Sequence, residues 1–293
     1  MDNVLVLIAS PNAQALSNHN IAAAHALLQN AGDARMLSAH AAEIPFAAPS
    51  QGVENLVRSA LGDVEIDIAV VASENRRKKI LIAAMDSTMI GQECIDELGK
   101  RAGVGERIVE ITTRAMRGEL DFEGAVRERV GLMKGLSEDA IQAVIDNDLT
   151  YTPGGRTLVQ TMRNHGAFTS LVSGGFTQFT EHVAAKIGFE DNRANVLNIQ
   201  NGALSGTVEE PILGRDAKVE ALYEYAAAHN ASADDVIAVG DGANDLGMLG
   251  LAGMGVALHA KPAVREAAAI RIDYAGLDAL LYLQGYHENE FSH

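Results

Sequence analysis

The stretch Val239-Gly240-Asp241-Gly242-Ala243-Asn244-Asp245-Leu246 sets two carboxylates four residues apart across a glycine turn. Such a pair suits a hard divalent cation such as Mg2+, which takes oxygen ligands and keeps several waters. It is not an EF-hand loop. Counted from Asp241, that loop needs glycine at the sixth position and glutamate at the twelfth, and these are Leu246 and Ala252. A second group, Ser173-Gly174-Gly175, ends the apolar run Leu171-Val172. A hydroxyl beside unobstructed backbone N–H groups can bind phosphate oxygens, although an ordinary strand-to-helix turn reads the same way. A third group, Ala84-Met85-Asp86-Ser87-Thr88, directly follows the apolar run Ile80-Leu81-Ile82-Ala83. Lys218 opens a helical pattern; alone it is a solvated surface cation.

These groups need strands and helix starts to hold them. Short bounded apolar runs predict buried parallel strands at Ile80–Ala83, Ala167–Val172, Ala194–Ile199, Val236–Val239 and Gly255–Leu258. Helical patterns over Thr157–Asn164, Gln178–Ile187 and Lys218–His229 lie between several of them, so the core is expected to be an α/β, doubly wound, Rossmann-like parallel sheet with its site at the carboxyl ends of the strands. Residues from about 92 to 150 break the rhythm with four helical segments, Glu93–Lys100, Arg107–Arg117, Phe122–Lys134 and Glu138–Ile145. They are expected to form a helical cap inserted after the first core strand.

Upstream, strands at Val4–Ile8, Ala34–Ala41 and Ile66–Ala72 and helices at Asn20–Leu28 and Val53–Leu61 predict a small α+β domain. The basic run Arg76-Arg77-Lys78-Lys79 is expected to be an exposed junction, dividing the chain into residues 1–76 and 77–293.

The chain has 293 residues, 47% of them apolar and 21% charged, the balance of an ordinary globular protein. A formal charge of -16 repels nucleic-acid phosphates and anionic membranes, so neither is an expected partner. A small anion remains open if local cations and a metal override that field. One cysteine, Cys94, excludes an internal disulfide and fits the cytoplasm. The N-terminus does not read as a secretory signal, and no apolar stretch is long enough to span a bilayer.

In order and placement these motifs resemble the phosphoserine phosphatases of the haloacid dehalogenase superfamily, over residues from about Lys79 to Leu283. That family opens its core with Asp-x-Asp-x-Thr/Val. Asp86 and Thr88 match, while Ala84 stands at the nucleophile position, so the resemblance implies a site that binds but does not turn over. It further implies Mg2+ held by Asp241 and the backbone carbonyl of Asp86, with Asp245 in support and one ligand lost at Ala84. Asp86 would be the general acid and base. Ser173, Gly174 and Lys218 would hold the phosphoryl group, and Asn244 would touch phosphate or substrate. Glu93 would meet the ammonium of L-phosphoserine, Arg129 its carboxylate, and Met116 and Phe122 would line the pocket. Read singly, Glu93 is a helix-face acid, Met116 and Phe122 are core residues and Arg129 is a surface charge. The alternatives are a phosphatase for another small phosphomonoester, or an amino-acid sensor without chemistry. The N-terminal module resembles the ACT-type regulatory domains found on some members of the family; packing or homodimer formation are its plainer roles.

Overall fold

The computed structural model describes residues 1–293 apart from Asn12, Gln14, Ala48 and the side chain of Met116. Strand β1 (Asn3–Ala9) is followed by α1 (Asn18–Ala26), β2 (Arg35–Met36), β3 (Ala41–Phe46), α2 (Val53–Leu61) and β4 (Ile66–Ala72). The sheet is antiparallel in the order β2-β3-β1-β4, a ferredoxin-like βαββαβ arrangement. Alternation along β1 separates two faces: Leu5 and Leu7 pack with residues of α1 and α2, whereas Val4, Val6 and Ile8 join the main core of the chain.

The strand expected over Ala34–Ala41 shrinks to the two residues of β2, and β3 runs through Pro45, a residue type that usually interrupts a strand. In a strand a residue's N–H and C=O point the same way. The Pro45 carbonyl accepts from Gly32 N at 2.8 Å, so its missing N–H faces that edge and costs no bond to β1.

The second unit begins with β5 (Ile80–Ala83). Helices α3 (Cys94–Arg101), α4 (Gly105–Met116), α5 (Phe122–Leu132) and α6 (Asp139–Asn147) occupy the interval expected to be helical. Then come α7 (Gly155–Asn164), β6 (Phe168–Phe176), α8 (Thr177–Ile187), β7 (Asp191–Asn195), β8 (Leu197–Gln200), β9 (Ala203–Val208), α9 (Arg215–Ala228) and β10 (Val236–Gly240). The chain ends with α10 (Leu246–Leu251), β11 (Met254–Leu258), α11 (Pro262–Ala267), β12 (Ile270–Ile272) and α12 (Ala279–Leu283). A parallel sheet runs in the order β12-β11-β10-β5-β6-β7. Both faces of β5 are covered: Leu81 and Ala83 belong to one apolar cluster and Ile80 and Ile82 to the other. Burying each of these larger side chains is worth about 1.5–3 kcal/mol, which makes β5 a firm base for the turn at its carboxyl end.

The run expected as one strand over Ala194–Ile199 splits at Val196. Its first part closes the sheet as β7, and its second turns into a hairpin with β9 through Asn201-Gly202, both at positive φ. Asn-Gly is the usual residue pair for such a turn, a signal present in the sequence. The hairpin leans on the helical layer, with Leu204 N donating to Leu136 O at 2.8 Å. The three-residue β12 has too short a pattern to be read from sequence. Among the described residues no helix is long and apolar enough to cross a membrane.

The basic junction is not uniformly exposed. Arg76 turns inward, donating to Glu43 at 2.7 Å and to the carbonyl of Leu283 at 3.2 Å, while Lys78 Nζ reaches Asp234 O at 2.7 Å. The reason is demand for donors: the buried Glu43 carboxylate on β3 needs one, and so do the carbonyls of Leu283 and Asp234 across the seam. Arg77 and Lys79 stay outside and pair with Glu290 and Asp235. A second tie runs the other way. Asp67 on β4 is 1% exposed and accepts from the backbone N–H groups of Asp273 at 2.6 Å and Ala275 at 2.8 Å, with Tyr274 N also in reach. Asp67→Ala should strand these donors and lower stability by about 3 kcal/mol, read as a fall in the urea midpoint. An unchanged midpoint would mean that the loop after β12 needs no support from β4.

Candidate active site

The carboxyl ends of β5, β6 and β10 meet where the chain, having left β5 for one side of the sheet, returns to the other. A cavity of about 480 Å3 opens there beneath α3, α4 and α5. Ala84 continues β5 and is tied to the neighbouring strand by its N–H to Val239 O at 2.9 Å. Its methyl group lines the cavity. The turn over Met85–Met89 then reverses through Ser87 at φ 53, which brings the Ser87 hydroxyl to Glu93 Oε1 at 2.9 Å.

Asp86 lies on the cavity wall and accepts from Cys94 N at 3.0 Å. Burial, reinforced by the nearby Glu93 carboxylate, raises its pKa to about 7, with the Cys94 hydrogen bonds and Lys218 opposing. A carboxyl titrating there can give a proton and take it back near neutral pH. The β6 backbone comes close because residue 175 is glycine: a Cβ would stand 2.9 Å from Asp86 Oδ2 and 3.1 Å from Ser173 Oγ. Ser173 Oγ accepts from Gly175 N at 2.9 Å, within a bulged end of β6. Gly174 makes room for Phe122, whose ring tip would lie 2.9 Å from a Cβ.

Opposite, Lys218 and Asp245 form an ion pair at 2.5 Å, their residues only 3% and 1% exposed. The other Asp245 oxygen accepts from the N–H groups of Asp241 at 3.2 Å and Gly242 at 3.0 Å, which shapes the turn after β10. Asp245 is therefore occupied. Asp241, buried, takes a hydrogen bond from Thr88 at 3.2 Å and faces Lys261 at 3.5 Å. Burial raises its pKa, Lys261 opposes, and Asp245 and Glu93 add to the rise. A cation at this carboxylate would relieve that cost.

Arg129 on α5 points into the same cavity, with Nε on Ala125 O at 3.1 Å. Burial lowers its pKa against the pull of Asp96, Glu93 and Asp86. The structure thus brings Ala84, Asp86, Glu93, Phe122, Arg129, Ser173, Gly174, Lys218, Asp241, Asn244 and Asp245 to one cavity. The side chain of Met116 lies outside the described residues; its backbone ends α4. Among the described residues no three His, Cys, Asp or Glu side chains converge as a metal cage. Ala84 offers no carboxylate, and Lys218 engages that of Asp245.

The sequence profile of the haloacid dehalogenase-like hydrolases matches residues 81–250, more than half of the chain and all of the strand ends just described. The chain belongs to that family. Within it, the chain is similar to phosphoserine phosphatases. It is 42% identical to that of Streptomyces coelicolor over 79% of this chain and 56% of the relative. It is 42% identical to that of Haemophilus influenzae over 75% of this chain and 71% of the relative. The match thus spans little more than half of the first relative's length. Among solved structures, a HAD family hydrolase of Salmonella enterica serovar Typhi aligns over 98% of this chain and 99% of its own, with a TM-score of 0.86 and 29% identity. A phospho-aspartyl intermediate analogue of phosphoserine phosphatase aligns over 70% of this chain and 98% of its own, with a TM-score of 0.65 and 37% identity.

Sequence reasoning missed several cavity residues of this haloacid dehalogenase-like hydrolase. Lys261 sits at the N-cap of α11 between Asp241 and Glu93, 3.5 and 3.8 Å from them. Its sequence neighbour Pro262 marks a helix start, but nothing marks the lysine as facing the cavity. Arg215, at the start of α9, also lines it.

The raised Asp86 value has a definite sign. Its folded pKa of about 7 exceeds the ordinary 3.8, so the folded chain holds a proton there between these values and loses stability as pH rises through that window. A carboxyl carbon titration by NMR should place Asp86 near neutral. A midpoint near the ordinary aspartate value would contradict the enclosure described.

Proposed function

We propose that the chain is a phosphoserine phosphatase by lineage and binding chemistry, with L-phosphoserine as its ligand, and that Ala84 leaves it without turnover. The observation that carries this is the convergence of two recognition chemistries on one cavity. Ser173, Gly174 and Lys218 suit a phosphoryl group, while Glu93 and Arg129 suit the ammonium and carboxylate of an amino acid. Related proteins with this name and the substrate-bound phosphoserine phosphatase among similar structures support the choice of ligand.

The donor set fits Mg2+. The ion commonly takes one or two carboxylates and completes its shell with waters and substrate phosphate, so Asp241 with the Asp86 carbonyl would suffice once phosphate is present. Asp245 would act indirectly, by shaping the turn. When bound, Mg2+ screens the phosphoryl oxygens. Lys218 and the β6 bulge hold the phosphoryl group against the end of β5. Asp86 stands ready to protonate the departing serine oxygen and then to activate water. With aspartate at 84, its carboxylate would attack phosphorus in line and carry it as an aspartyl-phosphate until that water displaces it. A methyl group can do neither.

The N-terminal unit, residues 1–76, would act as a packing or self-association module. A single buried cysteine suits a reducing cytoplasm. A second reading, an amino-acid sensor without chemistry, draws on Ala84 and on the N-terminal module.

Ala84→Asp should restore magnesium-dependent phosphate release from L-phosphoserine by several orders of magnitude, roughly the scale seen when a nucleophile that works as part of a unit is returned. A folded Ala84→Asp protein that stays inert would overturn the enzyme reading. In that restored enzyme, Arg129→Ala should raise KM for phosphoserine at least tenfold more than for an aryl phosphate, on the order of one lost charge-assisted contact. Equal effects on both substrates would remove Arg129 from carboxylate recognition.

A further inference from the structure

A second, smaller cavity of about 160 Å3 lies on the seam between the N-terminal unit and the core, away from the strand ends that carry the catalytic groups. Three guanidinium groups from three elements line it: Arg58 in the last turn of α2, Arg265 on α11 and Arg271 on β12. This gathering of cations stands out in a chain of net charge -16.

The acids nearby do not satisfy it: among the described residues Asp63, which also lines the cavity, forms no ion pair with these arginines. Arg265 and Arg271 share a single oxygen of Asp273, at 2.9 and 3.4 Å. Asp67, which attracts Arg58 electrostatically, spends its oxygens on the backbone N–H groups of residues 273–275. Glu54 accepts from Val70 N at 2.7 Å. Among the described residues Arg58 has no hydrogen bond or ion pair, although it is partly buried and faces Arg271. Its pKa is lowered first by burial and next by repulsion from Arg271, with Asp273, Asp67 and Glu54 opposing. With no protein acceptor, this guanidinium turns its donors to the solvent of the cavity, and their planar fork matches an oxyanion.

We infer that this seam cavity binds a phosphate-type oxyanion between Arg58 on one side and Arg265 and Arg271 on the other. Its volume equals on the order of five waters, enough for one tetrahedral oxyanion with a little solvent. Because the ligand would be held from both sides, it ties the N-terminal unit to the core. The inference does not rest on the activity assigned to the larger cavity.

Hydrogen exchange on the chain as it stands tests this. Inorganic phosphate at ten times its Kd should slow exchange of the backbone at Gly62–Ile66 and Arg271–Tyr274 roughly tenfold. Arg58→Met should abolish that protection while leaving exchange across β5, β6 and β10 as slow as in the unaltered chain, which also reports that the variant is folded. Arg58→Lys should keep part of it. L-phosphoserine protecting the seam as well as inorganic phosphate does would identify the phosphoryl group as the recognised part. Protection by phosphoserine but not by phosphate would overturn the assignment. So would seam protection that survives in Arg58→Met, or equal protection by chloride at matched ionic strength.

Discussion

The buried contact between Lys218 and Asp245 organises everything around it. Taking both charges out of water costs several kcal/mol, and the pair is tolerable because each has further work for its position. Asp245 uses its second oxygen to hold the N–H groups of Asp241 and Gly242, so the turn after β10 is shaped by an acid that is itself neutralised. Of the two acids in this turn, Asp241 is thereby the one not held by Lys218. Lys218, fixed by its partner, lines the same cavity as Ser173 and Gly174 at the end of β6. If either member were lost, the other would be an uncompensated buried charge and the turn would lose its template.

The same logic explains how much of this could be read from sequence. Strands with both faces buried announce themselves as short apolar runs, and β5 and β10 lie where those runs are. The motifs at their ends are local in sequence, so Asp86, Ser173, Asp241 and Asp245 could be nominated together, and Glu93, Phe122 and Arg129 followed from the resemblance of the helical segment. The features that could not be read depend on distant partners. Pro45 looks like a breaker until the open edge beside β3 is known. The run breaks at Val196 only because β7 closes the sheet while β8 pairs with β9. Lys261 faces Asp241 and Glu93 through tertiary placement alone. Arg76 and Lys78 look solvated until the carbonyls of α12 and Asp234 supply them with acceptors.

The seam between the two units is accordingly more than a linker. Arg76 and Lys78 reach into the core, while Asp67 reaches across to the loop after β12. That loop continues to Leu277, whose N–H meets Pro153 O at 2.9 Å, and the next residues toward the helical layer are tied to the β5 turn by Thr152 N on Met89 O at 3.0 Å. Hydrogen bonds joined by short covalent stretches therefore link the N-terminal sheet to the turn that precedes the helices over the cavity. The arrangement gives the N-terminal unit a structural reason to be present whether or not it binds an effector.

On the function proposed above, the cavity binds L-phosphoserine and has no group at position 84 to attack phosphorus. Phosphorus NMR of L-phosphoserine mixed with the unaltered chain and magnesium checks both halves at once. A saturable shift or broadening of the phosphoserine resonance is expected, lost in Arg129→Ala, with no growth of inorganic phosphate. Release of phosphate with Ala84 in place would show that another group performs the attack, and an unperturbed phosphoserine signal at any protein concentration would show that this cavity serves a different ligand.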